Sequence, residues 1–270
     1  MDDSITQALR RYRSQGYHIP PKNILKTPKQ IELIRESGKV NIAILDDITR
    51  QIADGITTGD IDRLIHEKTL ALGGKPAPLG FHGFPRSVCV SVNNEVCHGI
   101  PNDKRVLKNG DIFNIDVSTV YKGFFSDSSR MFSLGAVPAG TQRLVRVAKE
   151  CMDRGIEQVR PWGLLGDIGA AINEHAAENR YSIVREIGGH GIGCEFHEKP
   201  YVGYVTKRGT GMLMVPGMIF TVEPMVNMGS PGVYEDQNNG WTIRTVDGKP
   251  SAQWESMVLV TETGREILAY

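Results

Sequence analysis

No apolar run in this chain approaches the roughly 20 residues of a membrane-spanning helix. Net charge is missing as well. The 31 Lys and Arg balance 31 Asp and Glu, and no long basic run appears, which removes the electrostatic footprint of a nucleic-acid or anionic-membrane partner. Cysteines are few: Cys89, Cys97, Cys151 and Cys194 form no C-x-x-C pair and no dense framework, so reduced thiols are expected. The amino terminus, MDDSITQALRRYRSQGYH, carries no hydrophobic signal core, which predicts a cytoplasmic protein. What remains is ordinary soluble composition. With 40% apolar and 23% charged residues, the 270-residue chain can bury the core of one large domain or two smaller ones.

What the sequence does contain is a repeated strand. GDIFNIDV (110–117) and GMIFTVEP (217–224) both end on a carboxylate. Side chains alternate along a strand, so Asn114 and Asp116 share one face opposite Phe113, Ile115 and Val117, and Thr221 and Glu223 share a face opposite Phe220 and Val222. Asp116 and Glu223 lie 107 residues apart (223 − 116), the same offset that separates GDIDRLIHE at Gly59 from GDIGAAINE at Gly166 (166 − 59). Val40 and Val147, Leu45 and Met152, Asp46 and Asp153, and Ile52 and Val159 keep that offset. We read a duplication with halves of about 27–136 and 137–270, preceded by an extension of residues 1–26. The alternative is a coincidence of helix periodicity. Each half predicts helix, helix, strands, with a capping box at Thr27-Pro28-Lys29-Gln30 opening the first helix. Two such α+β halves packed through one central sheet bring the repeated acids together.

Further acids join Asp116 and Glu223. A hairpin turning at Tyr121-Lys122-Gly123 sets Asp127 of FFSDSS nearly opposite Asp116, and two buried carboxylates in that position repel unless a cation lies between them. GGHGIG leaves His190 unshielded between glycines, and Glu255 stands at the start of the strand in SAQWESMVLV. Four carboxylates balance two divalent cations, and the single imidazole favours manganese, iron, cobalt or zinc over calcium or magnesium.

HGIP (98–101), NIDV, FSDSS, GGHGIG, FHEKP (196–200), TVEPM and SAQWES occur in this order, and together they resemble the type I methionine aminopeptidases over residues 27–270. The resemblance implies the pita-bread fold, α+β with pseudo-twofold halves around a central antiparallel sheet. It also implies a dinuclear metal site of Asp116, Asp127, His190, Glu223 and Glu255, with Asp127 and Glu255 bridging. Glu223 would then shuttle the proton, His197 would hold the scissile carbonyl, and His98 would contact the amide nitrogen of the second residue. Phe81, Phe84, Cys89, Phe196 and Trp241 match positions lining the family's methionine pocket, where a thioether suits aromatic and sulfur neighbours. The implied activity is removal of the initiator methionine from nascent chains whose second residue is small, by a monomer.

This chain departs from the pattern at Pro78, where many relatives have Cys, and at Ser256, where they often have His. The loop 229–240 is turn-rich. The rival readings are an Xaa-Pro-type metallopeptidase of the same fold and a non-catalytic peptide-binding module. The proline-specific enzymes carry a large amino-terminal domain, whereas only 26 residues precede the shared region here. A type II enzyme carries a long insertion between its last two ligands, for which the 32 residues from Glu223 to Glu255 (255 − 223) leave no room. In residues 1–26, Ile5, Leu9 and Tyr12 predict one apolar face of a short helix that packs as an arm; contact of its Arg10, Arg11 and Arg13 with the ribosome is the alternative.

Overall fold

Thr27 and Thr57 each open a helix by the same reciprocal device. The Thr27 hydroxyl accepts the Gln30 N–H while Gln30 Oε1 accepts the Thr27 N–H, and Asp60 plays the part of Gln30 for Thr57. In the structure, a computed structural model that describes residues 3–270, these become α2 (Pro28–Thr49) and α3 (Thr58–Ala71), preceded by α1 (Asp3–Ser14). Strands β1 (Lys75–Pro76), β2 (Cys89–Val92), β3 (Glu95–Cys97), β4 (Ile112–Tyr121) and β5 (Phe124–Ser133) complete the first half. The second half again runs helix, helix, strands. It comprises α4 (Ala139–Glu157), α5 (Leu165–Glu178), β6 (Ser182–Ile183), β7 (Gly189–Gly191), β8 (Glu198–Val202), β9 (Ile219–Val222), β10 (Met225–Asn227), β11 (Val233–Glu235), β12 (Ile243–Thr245), β13 (Ser251–Gln253), β14 (Ser256–Val260) and β15 (Arg265–Ala269).

The two helix pairs do equivalent work. Phe113, Ile115 and Val117 of β4 pack with Ile44, Leu45 and Ile48 of α2 and with Ile61 and Ile65 of α3. Phe220 and Val222 of β9 pack with Leu144 and Met152 of α4 and with Ile168 and Ile172 of α5. Each such fully buried side chain stabilises the fold by about 1.5–3 kcal/mol. Gly59 and Gly166, the offset pair, both lie hard against a loop. A Cβ on Gly59 would sit 2.9 Å from the Asp103 amide, and one on Gly166 would sit 2.5 Å from the Thr210 carbonyl. Helix α1 lays Leu9 into the second-half core, and Tyr12 stacks on Trp162 with centroids 5.3 Å apart.

The β4–β5 hairpin turns tighter than the sequence suggests. Lys122 and Gly123 alone form the loop, with φ of 50° and 82°, the left-handed pair that a two-residue hairpin turn requires. Tyr121 therefore pairs with Phe124, Asp116 with Ser129, and Asp127 with Ser118. The two acids share a face but lie diagonally, two positions apart, rather than opposite each other. Ser118, not Asp116, faces Asp127.

A single row of residues then links the halves. Ser129, across from Asp116, forms an antiparallel bridge with Glu255, their amides donating to each other's carbonyls at 3.4 and 3.3 Å. Glu255 precedes β14, whose Ser256 pairs with Val222 of β9. Continuing that register by one residue sets Glu223 across from Glu255. Asp116, Ser129, Glu255 and Glu223 thus follow one another across the join, with one member of the repeated pair of acids at each end.

Candidate active site

A cavity of about 470 Å³ opens over this row, and every residue that the resemblance assigns to the ligand set, the catalytic groups or the methionine pocket lines it: Phe81, Phe84, Cys89, His98, Asp116, Asp127, His190, Phe196, His197, Glu223, Trp241 and Glu255. The tightest group is Asp127, His190 and Glu255, whose ligand atoms lie within 4.8 Å of one another. Asp116 lines the same cavity beside them, and Glu223 joins the group through His190, with Oε1 3.6 Å from Nε2. The side chains reach these places by different means. Ser118 Oγ donates to Asp127 Oδ1 at 2.8 Å, while Glu223 accepts from Thr221 Oγ1 at 2.7 Å and from Gln253 Nε2 at 3.0 Å.

Burial dominates the electrostatics. It pushes Asp116 up to about 6, with hydrogen bonds from Asp127 and Glu255 opposing, and Glu223 up to about 8. Asp127 and Glu255 rise well above the carboxylate range through burial first and repulsion second, Asp127 from Asp116 and Glu223 and Glu255 from Asp127, Glu223 and Asp116. Burial also lowers His190 to about 4 and His197 to about 3, and it depresses His98. All three imidazoles are therefore neutral at pH 7, and the close approaches of His190 to Asp127 and Glu223 are not ion pairs.

The His190 tautomer follows from its neighbours. Nδ1 lies 3.0 Å from the Gly191 carbonyl, which can only accept, so Nδ1 carries the proton. Nε2 is left as a bare acceptor, 3.6 Å from Glu223 Oε1 and 3.9 Å from Asp127 Oδ2. Three acceptors facing one another need a proton or a cation between them.

Aromatic rings form one wall. Phe81 meets Phe196 edge-on at 4.9 Å and stacks with His197 at 5.2 Å, and Phe84 meets Trp241 edge-on at 5.1 Å. His197 lies against His190 with centroids 4.2 Å apart. Pro78 is buried and lines the same cavity, so this departure belongs to the pocket. Ser256 does not: its Oγ donates to Met152 Sδ at 3.5 Å, towards the core of the second half. Ser118, His82, Glu186 and Tyr201 also line the cavity and were not singled out beforehand. Ser118 was within reach of strand alternation, two residues after Asp116. His82 sits at φ 46° in the FHG turn, and neither Glu186 nor Tyr201 belongs to any periodic pattern.

Comparison with known proteins agrees with this geometry. The model of metallopeptidase family M24 matches residues 32–262. The chain belongs to that family. Among M24 relatives, the methionine aminopeptidase A of Synechocystis sp. is 45% identical over 245 residues, covering 90% of this chain and 96% of that protein. The methionine aminopeptidase of Escherichia coli K12 is 42% identical over 245 residues, covering 90% and 92%. The crystal structure of methionine aminopeptidase from Rickettsia prowazekii superposes with a TM-score of 0.89 at 44% identity, covering 91% of this chain and 99% of that one. The prolidase from Pyrococcus furiosus, at 20% identity and a TM-score of 0.72, shares the fold alone. The architecture is therefore the pita-bread fold, α+β with pseudo-twofold halves.

Membership of a metallopeptidase family implies divalent metal ions, and the residues fit them. Asp116 Oδ1 is buried without a hydrogen-bond partner, Nε2 of His190 is bare, and four carboxylates converge, three of them on buried residues. Each of these costs stability unless a cation compensates it.

Proposed function

We infer that this chain is a methionine aminopeptidase, which hydrolyses the first peptide bond of polypeptides that begin with methionine and carry a small second residue. The observation that carries this reading is one cavity that joins five metal-type ligands to an aromatic and sulfur-lined slot. Asp116, Asp127, His190, Glu223 and Glu255 would hold two divalent transition-metal ions, with manganese, iron, cobalt and zinc as the candidates. Such ions, when bound, supply acidified water and a positive field for the developing oxyanion.

The chain's own groups do the rest. Phe81, Phe84, Cys89, Phe196 and Trp241 hold the methionine side chain and exclude water from it. Neutral His197 orients the scissile carbonyl, and neutral His98 accepts the amide N–H of the second residue. Glu223, starting as the carboxylate, takes a proton from the attacking water and returns it to the departing amine, and the burial that raises its proton affinity suits it to both halves of that transfer. The substrate class, newly made N-termini, supports a cytoplasmic location, as do four unpaired thiols. Among the described residues no helix is long and apolar enough to cross a membrane. We read the protein as a monomer. Contact with the ribosome through the exposed Arg10, Arg11 and Arg13 of α1 is the further reading, and unchanged co-sedimentation after deletion of residues 2–20 would remove it.

The test is release of free methionine from Met-Ala-Ser, Met-Lys-Ser and an Xaa-Pro peptide by protein stripped of metal and resupplied with each candidate ion. Metal-dependent cleavage of Met-Ala-Ser alone is expected. Cleavage of the Xaa-Pro peptide instead would move the chain to the proline-specific branch, and metal uptake without any cleavage would favour a binding module.

A further inference from the structure

Lys26 precedes the capping box of α2, yet its side chain does nothing for that helix. It is only 2% exposed, with Nζ 2.7 Å from Glu198 Oε2 and donating to the Ile24 carbonyl at 3.4 Å. The other oxygen of Glu198, Oε1, accepts the Cys194 N–H at 3.1 Å. One carboxylate therefore ties both ends of the segment 194–198, and Phe196 and His197 stand between those ends. The segment has a further anchor in Gly193, whose carbonyl accepts the Phe125 N–H at 2.9 Å, two residues before Asp127. A Cβ on Gly193 would lie 3.3 Å from Lys26 Cε, so the lysine stem packs directly on this anchor. Lys26 is itself fixed by its own amide, which donates to the Gly217 carbonyl at 2.8 Å.

The imidazole that this segment carries has little else to aim it. Among the described residues, His197 makes ring contacts with Phe81, His190 and Phe196 and no side-chain hydrogen bond. Stacked rings slide more easily than hydrogen-bonded ones, so the direction of His197 is set by its backbone. A buried ion pair adds little net stability compared with apolar residues of the same volume, but its geometry is strict.

We propose that Lys26 is a positioning residue that acts through Glu198 to hold His197 against the scissile carbonyl. The proposal rests on the role given to His197 above. A 1 Å misplacement of a catalytic group can cost 10²-fold in rate, so partial loosening of the segment in Lys26→Met is expected to lower kcat about tenfold, with KM within about twofold. Lys26→Arg keeps the charge and should recover most of that loss.

Three measurements decide it. Kinetics of the metal-loaded variants on Met-Ala-Ser are compared with the same substitutions in a His197→Ala background. There Lys26→Met should change kcat by less than about twofold, because coupled residues are not additive. An undiminished tenfold loss in that background would overturn the proposal, and so would an unchanged kcat accompanied only by a lower Tm. If Lys26→Met does not fold, Glu198→Gln is the substitute: it keeps an acceptor for Cys194 and removes the charge, and a loss of about threefold that disappears in the His197→Ala background is expected. Histidine ring NMR gives a readout that does not need turnover. The His197 ring signals, assigned by their absence in His197→Ala, should shift or broaden in the Lys26 or Glu198 variant while those of His98 stay put. Unperturbed His197 signals would refute the strut, whereas failure of the unmutated enzyme to release methionine would refute only the functional reading.

Discussion

In the first half of the chain, β4 runs five residues beyond Asp116 and pairs with β5 along its whole length. In the second half, β9 stops at Val222, and Glu223 stands between its end and Pro224. The acids are held differently as a result. Asp127 receives one hydroxyl, from Ser118, and Asp116 keeps one buried oxygen with no partner, while Glu223 receives both Thr221 and Gln253. An unbroken ladder gives a rigid platform whose oxygens wait for a cation. A strand that ends at its acid leaves room for donors to aim that acid. On the roles proposed above, the first-half acids Asp116 and Asp127 would serve only to hold metal, whereas Glu223 at the end of the matching strand would also be aimed to move protons.

The sharpest way to break this comparison is to remove the carboxylate proposed to carry the proton. Glu223→Gln should lower kcat for Met-Ala-Ser by about 10²- to 10⁴-fold, the range of general acid–base catalysis. A loss no larger than that of Ser118→Ala would erase the difference between the halves. Next come the donors. A hydrogen bond to a charged group contributes about 1.5–3 kcal/mol, so Gln253→Leu should cost kcat roughly tenfold or more, mostly without change in KM. Ser118→Ala should instead act on metal affinity, read by titration of stripped protein with manganese.

Stripping the metal tests the platform. The folded-state values of Asp116 and Glu223 are raised above those of unfolded carboxylates, so the folded protein binds more protons than the unfolded chain. Stability of the stripped protein should therefore be greatest below about pH 4 as far as these groups decide it, and fall as pH rises through about 6 and towards about 8. Thermal melts across that window should show Tm declining without metal and recovering with it, and Asp127→Asn should raise the Tm of the stripped protein at pH 8. The smallest effect on activity belongs to α1. It packs on the second-half core through Leu9 and on Trp162 through Tyr12, so deleting residues 2–16 should cost about 2–4 kcal/mol of stability by lost burial while leaving kcat within about twofold.

Local pattern made much of this legible and long-range pairing hid the rest. Alternation marked the polar faces of β4 and β9, and the shared offset of 107 (223 − 116) paired their acids. The hairpin register came out one position off because Tyr121, read as turn, belongs to the strand and Lys122-Gly123 turns alone, which moves the partner of Asp116 on to Ser129. Strand β8 was unreadable since it contains Pro200 and begins on charge, and β15 because its exposed edge alternates weakly. The bridge from Ser129 to Glu255 spans 126 residues (255 − 129), and the Lys26–Glu198 pair spans 172 (198 − 26). Such contacts leave no trace in any local window, which is why resemblance, and not spacing, supplied the role of His197.

The most direct test of the account is a titration of stripped protein with manganese, in which bound metal and methionine release from Met-Ala-Ser are followed together. The account predicts that release rises from the baseline with bound metal and saturates by two equivalents, and that Asp116→Asn binds less and releases none. Full release from stripped protein, or undiminished release by Asp116→Asn, would contradict it.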